Sequence, residues 1–241
     1  GLGDVYKRQI WSFPERGSWA THSGKYRGNW SPYIPRNLIL RYSKKNDWIL
    51  DQFLGSGTTL IEAKLLGRNA IGVDINSEAI KLSNTNLNFT CQESSKIFTK
   101  QGNATELSFI KDDSIDLICT HPPYADIIRY SKKIPGDISH LKYEEFLMAL
   151  EQVAREAYRV LKKQGICAFM IGDIRRAGYV LPLGMNSMQK FVDAGFKLKE
   201  IVIKEQHNCR AADYWDGKER NFLMLAHEYI FILKKTDDYK S

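Results

Sequence analysis

Short apolar segments alternate along this chain with longer stretches that carry apolar residues at helical spacing, and this alternation constrains the fold most strongly. Seven segments are predicted as strands: residues 48–51, 70–74, 97–102, 115–120, 166–172, 198–204 and 228–233. Four stretches are predicted as helices: residues 58–66, 77–88, 143–161 and 182–194. Strands that alternate with helices indicate a parallel sheet covered on both faces. The sequence therefore predicts an α/β fold with a doubly wound, mostly parallel seven-stranded sheet. Because no helix is predicted between the last two strands, one reversed strand is expected at the edge of the sheet.

The segment before the first predicted strand lacks any regular period. Its first nine residues, GLGDVYKRQ, resemble a translated sequencing-adapter read, and we interpret residues 1–9 as a non-native tail. Residues 10–241 are predicted to form a single domain. Within it, residues 11–37 are rich in aromatic residues, Gly and Pro and are predicted as a loop-rich approach segment, and residues 38–43 as the end of a short helix.

Charge and cysteine usage narrow the functional class. The net charge of +7 favours a polyanionic partner, although a basic soluble protein without such a partner fits the same value. The longest apolar runs are too short to span a bilayer, so no membrane segment is expected. The four cysteines are scattered without metal-ligand spacing, which predicts free thiols, no metal site and a cytoplasmic location: Cys91, Cys119, Cys167 and Cys209.

A glycine-rich turn lies between the first predicted strand and helix, in DQFLGSGTTLIEAKLLGRNAIGVDIN. Asp51 ends the strand, residues 55–57 form the turn, and Asp74 ends the next strand. Glycines let the backbone approach a ligand, the free N–H groups of a helix start favour an anionic group, and Asp74 is placed to bind a ribose diol. The turn lacks the third glycine of a dinucleotide site and the lysine of a P-loop. On this turn alone, a tight strand-to-helix connection without a ligand stays an alternative.

The same residues resemble the S-adenosylmethionine-binding region of amino-methylating (N4-cytosine or N6-adenine) DNA methyltransferases, whose usual form is DPFxGSGTT, with Gln52 in place of the proline. The resemblance implies a Rossmann-like methyltransferase fold with S-adenosylmethionine as cofactor. It implies that Asp51 and the loop face the methionine end, that Asp74 holds the ribose and that Ile75 flanks the adenine. Asn103, in GNATEL, stands where the family often has an Asp that contacts the adenine amino group. The expected cofactor-binding residues are Asp51, Phe53, Gly55, Ser56, Gly57, Thr58, Asp74, Ile75 and Asn103.

A second motif, His121-Pro122-Pro123-Tyr124, follows the predicted strand IDLICT. An exocyclic base amine is a poor nucleophile because its lone pair is delocalised into the ring, so fixed acceptors around its N–H groups assist methylation. Consecutive prolines stiffen the chain, and an aromatic residue can stack on an extruded base. A single such tetrapeptide is more often a rigid turn, but two motifs in order, each after a strand, favour a catalytic site.

This tetrapeptide resembles the (Asp/Asn/Ser)-Pro-Pro-(Tyr/Phe/Trp) tetrad of the same methyltransferases. The resemblance implies that the Pro122 carbonyl and the His121 side chain accept hydrogen bonds from the target amine, and that Tyr124 stacks on the base. His121, Pro122, Pro123 and Tyr124 are thus the expected catalytic residues. His121 departs from the family pattern. A neutral imidazole can accept a hydrogen bond and an imidazolium cannot, so either the site works with a neutral His121 or the role of this position has shifted. In the family, N4-cytosine enzymes favour Ser at this position and N6-adenine enzymes favour Asp or Asn, so a His leaves the target base undecided.

The function expected from both motifs is methyl transfer from S-adenosylmethionine to cytosine N4 or adenine N6 in DNA. Two alternatives stay open: an RNA base methyltransferase, and a catalytically silent cofactor-binding subunit of a modification complex. A protein-glutamine methyltransferase is disfavoured because its usual tetrad begins with Asn. The expected partners are DNA and, as a candidate, a restriction endonuclease or specificity subunit. Arg175 and Arg176, and residues 207–215, are alternatively solvated loops or nucleic-acid contacts.

Overall fold

A computed structural model describes residues 7–26, 28–125, 134–207 and 221–236. Within these residues the strands are β1 Ile10–Trp11, β2 Trp48–Asp51, β3 Asn69–Asp74, β4 Ile97–Gln101, β5 Ile115–Thr120, β6 Leu161–Ile171, β7 Ile174–Arg176, β8 Tyr179–Leu181, β9 Lys197–Glu205 and β10 His227–Lys234. The α-helices are α1 Tyr33–Tyr42, α2 Thr58–Leu65, α3 Ser77–Leu87, α4 Tyr143–Val160 and α5 Leu183–Asp193. None of these helices is both long and apolar enough to cross a membrane.

Eight strands form one sheet in the order β1-β9-β10-β6-β5-β2-β3-β4, and β7 and β8 form a separate hairpin. Neighbouring strands are parallel except where β10 pairs antiparallel with β6 and β9. The predicted α/β fold with a mostly parallel sheet is confirmed. The seven predicted strands are present, and the two-residue β1 adds an eighth.

The reversed strand was expected at the edge, and that prediction is wrong. β10 lies between β9 and β6 and is hydrogen bonded on both sides. Its residues 230–233 are apolar and fully buried, as expected for a strand covered on both faces. An edge position would have left this apolar segment half-exposed.

Two further features differ from the prediction: the start of α1 and the presence of the β7–β8 hairpin. α1 begins at Tyr33, inside the segment predicted as loop. Pro35 lies in its first turn, where backbone N–H groups have no partner within the helix, so a proline is tolerated there. The β7–β8 hairpin was not predicted. Its turn residues Ala177 and Gly178 both have positive φ, 49° and 85°, which is typical of a tight two-residue hairpin.

Alternate residues of the central strands point into two apolar layers. Leu50, Ile118 and Phe169 pack toward α4 and α5. Ile49 and Leu117 pack toward α1 and α2 on the opposite face. This two-sided packing fixes the carboxyl ends of β2, β3 and β5 on a rigid platform.

The start of the described chain contacts the sheet. The Gln9 carbonyl accepts a hydrogen bond from the Ile203 N–H at 2.7 Å, and the Trp11 indole donates to the Arg8 carbonyl at 3.0 Å. The interpretation of residues 1–9 as a non-native tail, and of residues 10–241 as one domain, stays a prediction.

Candidate active site

A cavity lies at the carboxyl ends of β2, β3 and β5. β2 pairs with β3 on one side and with β5 on the other, so the strand order reverses beside β2. Ligands of open α/β sheets bind at such a reversal. Eight of the residues expected from sequence line the cavity: Asp51, Phe53, Gly55, Asp74, Ile75, Asn103, His121 and Pro123. The other five are not among the described lining residues: Ser56, Gly57, Thr58, Pro122 and Tyr124.

The Asp51 carboxylate holds the turn in place. Its Oδ2 accepts from the Thr59 hydroxyl at 2.6 Å, and its Oδ1 accepts from the Thr120 hydroxyl at 2.7 Å and the Phe53 N–H at 3.1 Å. Burial raises the pKa of Asp51 to about 6, although these hydrogen bonds lower it. Asp51 therefore ties the ends of β2 and β5 to the start of α2.

Two glycines of the turn have left-handed backbone conformations. Gly55 has φ +52° and Gly57 has φ +90°, a region that favours glycine. A Cβ on Gly55 would lie 3.1 Å from the Tyr26 ring, and one on Gly57 would lie 3.1 Å from the Ser83 Cβ. The turn thus requires both glycines for conformation and for space.

Asp74 connects the turn to the end of β3. Its Oδ2 accepts from the Gly55 N–H and its Oδ1 accepts from the Asn76 N–H, both at 2.9 Å. Burial raises the pKa of Asp74 against these hydrogen bonds, and the negative charge of Asp137 raises it further. Each carboxylate oxygen keeps acceptor capacity for a ligand hydroxyl beyond the backbone bond that it already makes.

A glycine approaches the far wall of the cavity. A Cβ on Gly136 would lie 2.9 Å from the Asn103 Nδ2 and 3.3 Å from the Ile75 Cδ1. The Asn103 Oδ1 accepts from the Thr105 N–H at 3.1 Å. Ile75, Asn103 and Gly136 therefore lie together at one partly apolar end of the cavity.

The charges of the cavity disfavour phosphate. Its described lining contains the carboxylates of Asp51, Asp74 and Asp137 and no Lys or Arg. A ligand with several phosphates would meet repulsion there, whereas a ligand with hydroxyl groups and positive charge would be attracted. This electrostatic character fits a sulfonium nucleoside better than a dinucleotide.

The aromatic approach segment forms the remaining wall. Tyr26, Gly28, Asn29 and Trp30 line the cavity, and the Thr58 hydroxyl donates to the Asn29 side-chain oxygen. The sequence predicted this segment as a loop-rich approach to the core, and none of its residues was among the expected site residues. The aromatic and glycine content was a visible signal, but the individual contacts depend on tertiary packing.

The buried Glu62 side chain anchors this segment to α2. Its Oε1 accepts from the Trp19 indole at 2.7 Å and lies 2.6 Å from the His22 Nε2, and its Oε2 accepts from Arg36 at 2.9 Å. Three residues of the approach segment and α1 thus converge on one carboxylate that is 0% exposed. The wall is part of the folded core.

Residues 136–138 are also part of the lining and were not predicted. The Pro135-Gly136 dipeptide was the only local signal, since it is typical of a turn.

The His121 imidazole lies between two aromatic rings. Trp30 stacks on it at 5.6 Å with an interplanar angle of 19°, and Tyr124 meets it edge-on at 6.2 Å. Burial lowers the pKa of His121, so the neutral form is favoured. The ring makes a hydrogen bond to the Gly28 backbone, and its Nε2 is buried without a hydrogen-bond partner among the described residues. The network therefore assigns the proton to Nδ1 and a lone pair to Nε2.

The Tyr124 hydroxyl is held on both sides. It donates to the Glu228 Oε1 at 2.7 Å and accepts from the Gly172 N–H at 2.8 Å. Glu228 is buried and forms an ion pair with Lys204 at 3.2 Å. Sequence reasoning missed Glu228 and Lys204, because no local motif marks them.

The basic residues proposed as nucleic-acid contacts are only partly described. Arg175 donates to the Gly178 carbonyl at 2.8 Å and the Leu223 carbonyl at 3.0 Å, and lies over the Phe222 ring at 4.8 Å. These contacts give Arg175 a structural role. Of residues 207–215, only His207 is among the described residues. Within the described chain, no group of His, Cys, Asp and Glu side chains is arranged to hold a metal ion.

Comparison with known proteins identifies two family models and several related sequences. The model of a DNA methylase family matches residues 3–85 and 115–241. A model described as RNA cap guanine-N2 methyltransferase matches the shorter range 46–170. The type II methyltransferase M2.MboI of Moraxella bovis is 41% identical over 81 residues, which is 34% of this chain and 30% of that protein.

Two other similar proteins extend the comparison. A tRNA (guanine(10)-N2)-dimethyltransferase of Methanothermobacter thermautotrophicus is 32% identical over 123 residues, 51% of this chain and 34% of that protein. A solved structure of a SAM-dependent methyltransferase from Methanosarcina mazei has a TM-score of 0.56 at 19% identity, covering 83% of this chain and 98% of the other. The alignments span about a third of the two curated relatives, and the structural likeness confirms the predicted Rossmann-like fold.

The matched ranges of the DNA methylase model include the glycine turn, the tetrad and the strands that carry Glu228 and Lys204. The RNA-type model ends inside β6 and so omits β9 and β10. The resemblance found in the sequence is confirmed: the chain belongs to the N6/N4 DNA methylase family.

Proposed function

We propose that this chain transfers a methyl group from S-adenosylmethionine to the exocyclic amino group of cytosine (N4) or adenine (N6) in DNA. The observation that carries the proposal is the His121 Nε2, a buried acceptor without a described partner, in a tetrad beside a phosphate-disfavouring cavity. Membership of the DNA methylase family supports the same conclusion.

The cavity has the groups that S-adenosylmethionine needs. Asp74 would accept hydrogen bonds from the ribose hydroxyls, and Ile75 with Asn103 would contact the adenine. Gly55 leaves room beside the Tyr26 ring for the methionine end, and the carboxylates of the cavity attract its positive charge. When bound there, the cofactor would supply an activated methyl group on a positively charged sulfur.

The tetrad would bind and orient the target amine. The His121 Nε2 and the Pro122 carbonyl would accept its two N–H groups and direct the nitrogen lone pair toward the cavity. Tyr124 would stack on the extruded base. Because burial lowers the pKa of His121, its imidazole is a weak base, and we assign it orientation of the amine. Ser56, Gly57 and Thr58 would act by shaping the turn, and Pro123 by fixing the backbone between His121 and Tyr124.

The proposed cellular location and partners are those expected of a protein that methylates DNA. A DNA substrate and free thiols at Cys91, Cys119 and Cys167 support a cytoplasmic location. The net charge of +7 supports binding to a polyanion. The type II designation of the Moraxella bovis relative supports a restriction-modification context, in which a restriction endonuclease or specificity subunit is the protein partner.

RNA base methylation is the second candidate, because the RNA cap model matches residues 46–170 and a tRNA methyltransferase is 32% identical over 123 residues. In the deciding experiment, purified protein and methyl-labelled S-adenosylmethionine are incubated with unmethylated duplex DNA and, separately, with a tRNA pool. The proposal predicts label in DNA. Label in tRNA alone would favour the RNA enzyme. Cofactor binding in calorimetry without label in either substrate would favour the silent subunit.

A further inference from the structure

A buried polar group that does not line the cavity contacts the tetrad through Tyr124. The Tyr124 hydroxyl donates to the Glu228 carboxylate and accepts from the Gly172 N–H. β10 runs antiparallel to β6 and β9, so its first residues lie beside the carboxyl ends of those strands. Glu228 is directly opposite Lys204 in the β10–β9 register, and the two side chains are 11% and 15% exposed. Reversal of β10 thus brings a carboxylate into contact with Tyr124 of the tetrad.

The contribution of the buried Glu228–Lys204 pair to fold stability is not by itself a reason for its presence. Replacing a buried ion pair by apolar residues is often neutral or stabilising, because desolvation offsets the attraction of the charges. Burial acts to raise the pKa of Glu228, but Lys204, His121 and the Tyr124 hydroxyl outweigh it and leave the pKa lowered. The Glu228 carboxylate is therefore ionised beside the tetrad.

We propose that Glu228 is a positioning residue for the methyl transfer: it fixes the plane of the Tyr124 ring through the hydroxyl, and Lys204 holds Glu228 in place. This inference rests on the proposed function, since it assigns the orientation of the ring on which the target base stacks. The two hydrogen bonds on the hydroxyl restrict rotation of the ring about both side-chain torsions. Because the Tyr124 ring is already fixed, its side chain loses little conformational entropy when the base binds.

The pair has a second effect on the tetrad that a purely structural role would not have. The groups that act on His121 are the Glu228 carboxylate of β10, the Lys204 ammonium of β9 and the Gly28 backbone, with the Trp30 and Tyr124 rings packed around it. Burial lowers the pKa of His121, Glu228 raises it, and Lys204 lowers it. Removing the Glu228 charge should therefore extend the neutral, accepting form of His121 to lower pH. Removing the Lys204 charge should restrict that form to higher pH.

The test compares Glu228→Gln, Lys204→Met and Tyr124→Phe with the wild-type protein in methyl transfer to duplex DNA. Glu228→Gln keeps the size of the side chain and removes its charge. Glu93→Gln is the matched control, because it removes one carboxylate from the exposed Lys45–Glu93 pair outside the site. We expect Glu228→Gln to lower kcat by roughly tenfold, with little change in cofactor Kd. Tyr124→Phe keeps the stacking ring and loses only its hydroxyl, so its kcat should lie between that of the wild-type protein and that of Tyr124→Ala.

The pH profiles separate positioning from a merely structural role. As the pH falls, His121 becomes protonated and can no longer accept a hydrogen bond, so kcat should decline. This decline, the acidic limb of the kcat profile, should move to lower pH in Glu228→Gln and to higher pH in Lys204→Met. It should not move in the Glu93→Gln control. Unchanged kcat in Glu228→Gln, or loss of activity with the acidic limb unmoved in both charge variants, would overturn the inference.

A second measurement keeps the inference testable without activity. The imidazole of His121, identified among the five histidines by its loss in His121→Asn, is titrated by NMR in the wild-type and both charge variants. Opposite displacements of its titration support the inference even if no nucleic acid is methylated, which would overturn only the proposed function. Coincident titrations in all three proteins would refute the inference whatever the substrate.

Discussion

Asp51 is expected to make the protein less stable as the pH rises, and Asp51→Asn should remove that dependence. Burial raises the pKa of this carboxyl from its ordinary value near 3.8 to about 6 in the folded protein. The folded state therefore binds more protons than the unfolded state between these values, so the free energy of unfolding falls as the pH rises through about 6. A difference of roughly two units corresponds to about 3 kcal/mol at 1.36 kcal/mol per unit.

The measurement is urea unfolding of the wild-type and Asp51→Asn proteins between pH 4 and pH 8. The amide keeps one acceptor oxygen, so Asp51→Asn loses the acceptor for only one of the Thr59 and Thr120 hydroxyls, and this loss adds an offset that does not depend on pH. Between pH 4 and pH 8, the free energy of unfolding of Asp51→Asn should rise by about 3 kcal/mol relative to that of the wild-type protein. Because the variant also disturbs the turn, its affinity for S-adenosylmethionine should fall although its stability at neutral pH is retained.

The control is Asp193→Asn, which changes an exposed carboxylate at the end of α5. Its stability difference from the wild-type protein should stay nearly constant over the same range. A constant difference for Asp51→Asn as well would show that Asp51 ionises alike in the folded and unfolded states, and so that burial does not raise its pKa.

The other predictions concern the turn, the base and the polyanion. Gly57→Val places a branched side chain at φ +90° and 3.1 Å from Ser83, so calorimetry should show weakened cofactor binding; unchanged affinity in a folded variant would contradict the role of the turn. Tyr124→Ala should cost about 1–3 kcal/mol of base stacking, measured as reduced kcat/KM for DNA, and wild-type kcat/KM would exclude stacking on Tyr124. DNA affinity should fall as salt rises, with a slope set by the number of phosphates neutralised, and a flat response would exclude phosphate contacts.

Features encoded by short, contiguous segments could be predicted from the sequence. The strands were visible because their apolar residues are buried in consecutive positions, as in β2 and β5. The glycine turn and the tetrad were visible because each needs particular residues at adjacent positions. The structure brings Asp51, Asp74 and His121 to one cavity, as expected for residues that end parallel strands.

Features that depend on distant pairing could not be predicted. Glu228 is 104 residues from Tyr124 in the chain, and only the reversal of β10 places them together. α1 was shortened in the prediction because its prolines were interpreted as loop residues, although Pro35 lies in a first turn that tolerates it. The contact of the His121 ring with Trp30 also joins segments far apart in sequence, so no local period reveals it.

The most direct test of the central claim is nucleoside analysis of DNA after incubation with S-adenosylmethionine and either wild-type protein or His121→Ala. The variant removes the Nε2 acceptor, and calorimetry establishes beforehand that it still binds the cofactor. The wild-type protein should produce N4-methylcytosine or N6-methyladenine, and the variant should give a strongly reduced yield. Equal yields from both proteins, or a methylated product in neither, would contradict the central claim.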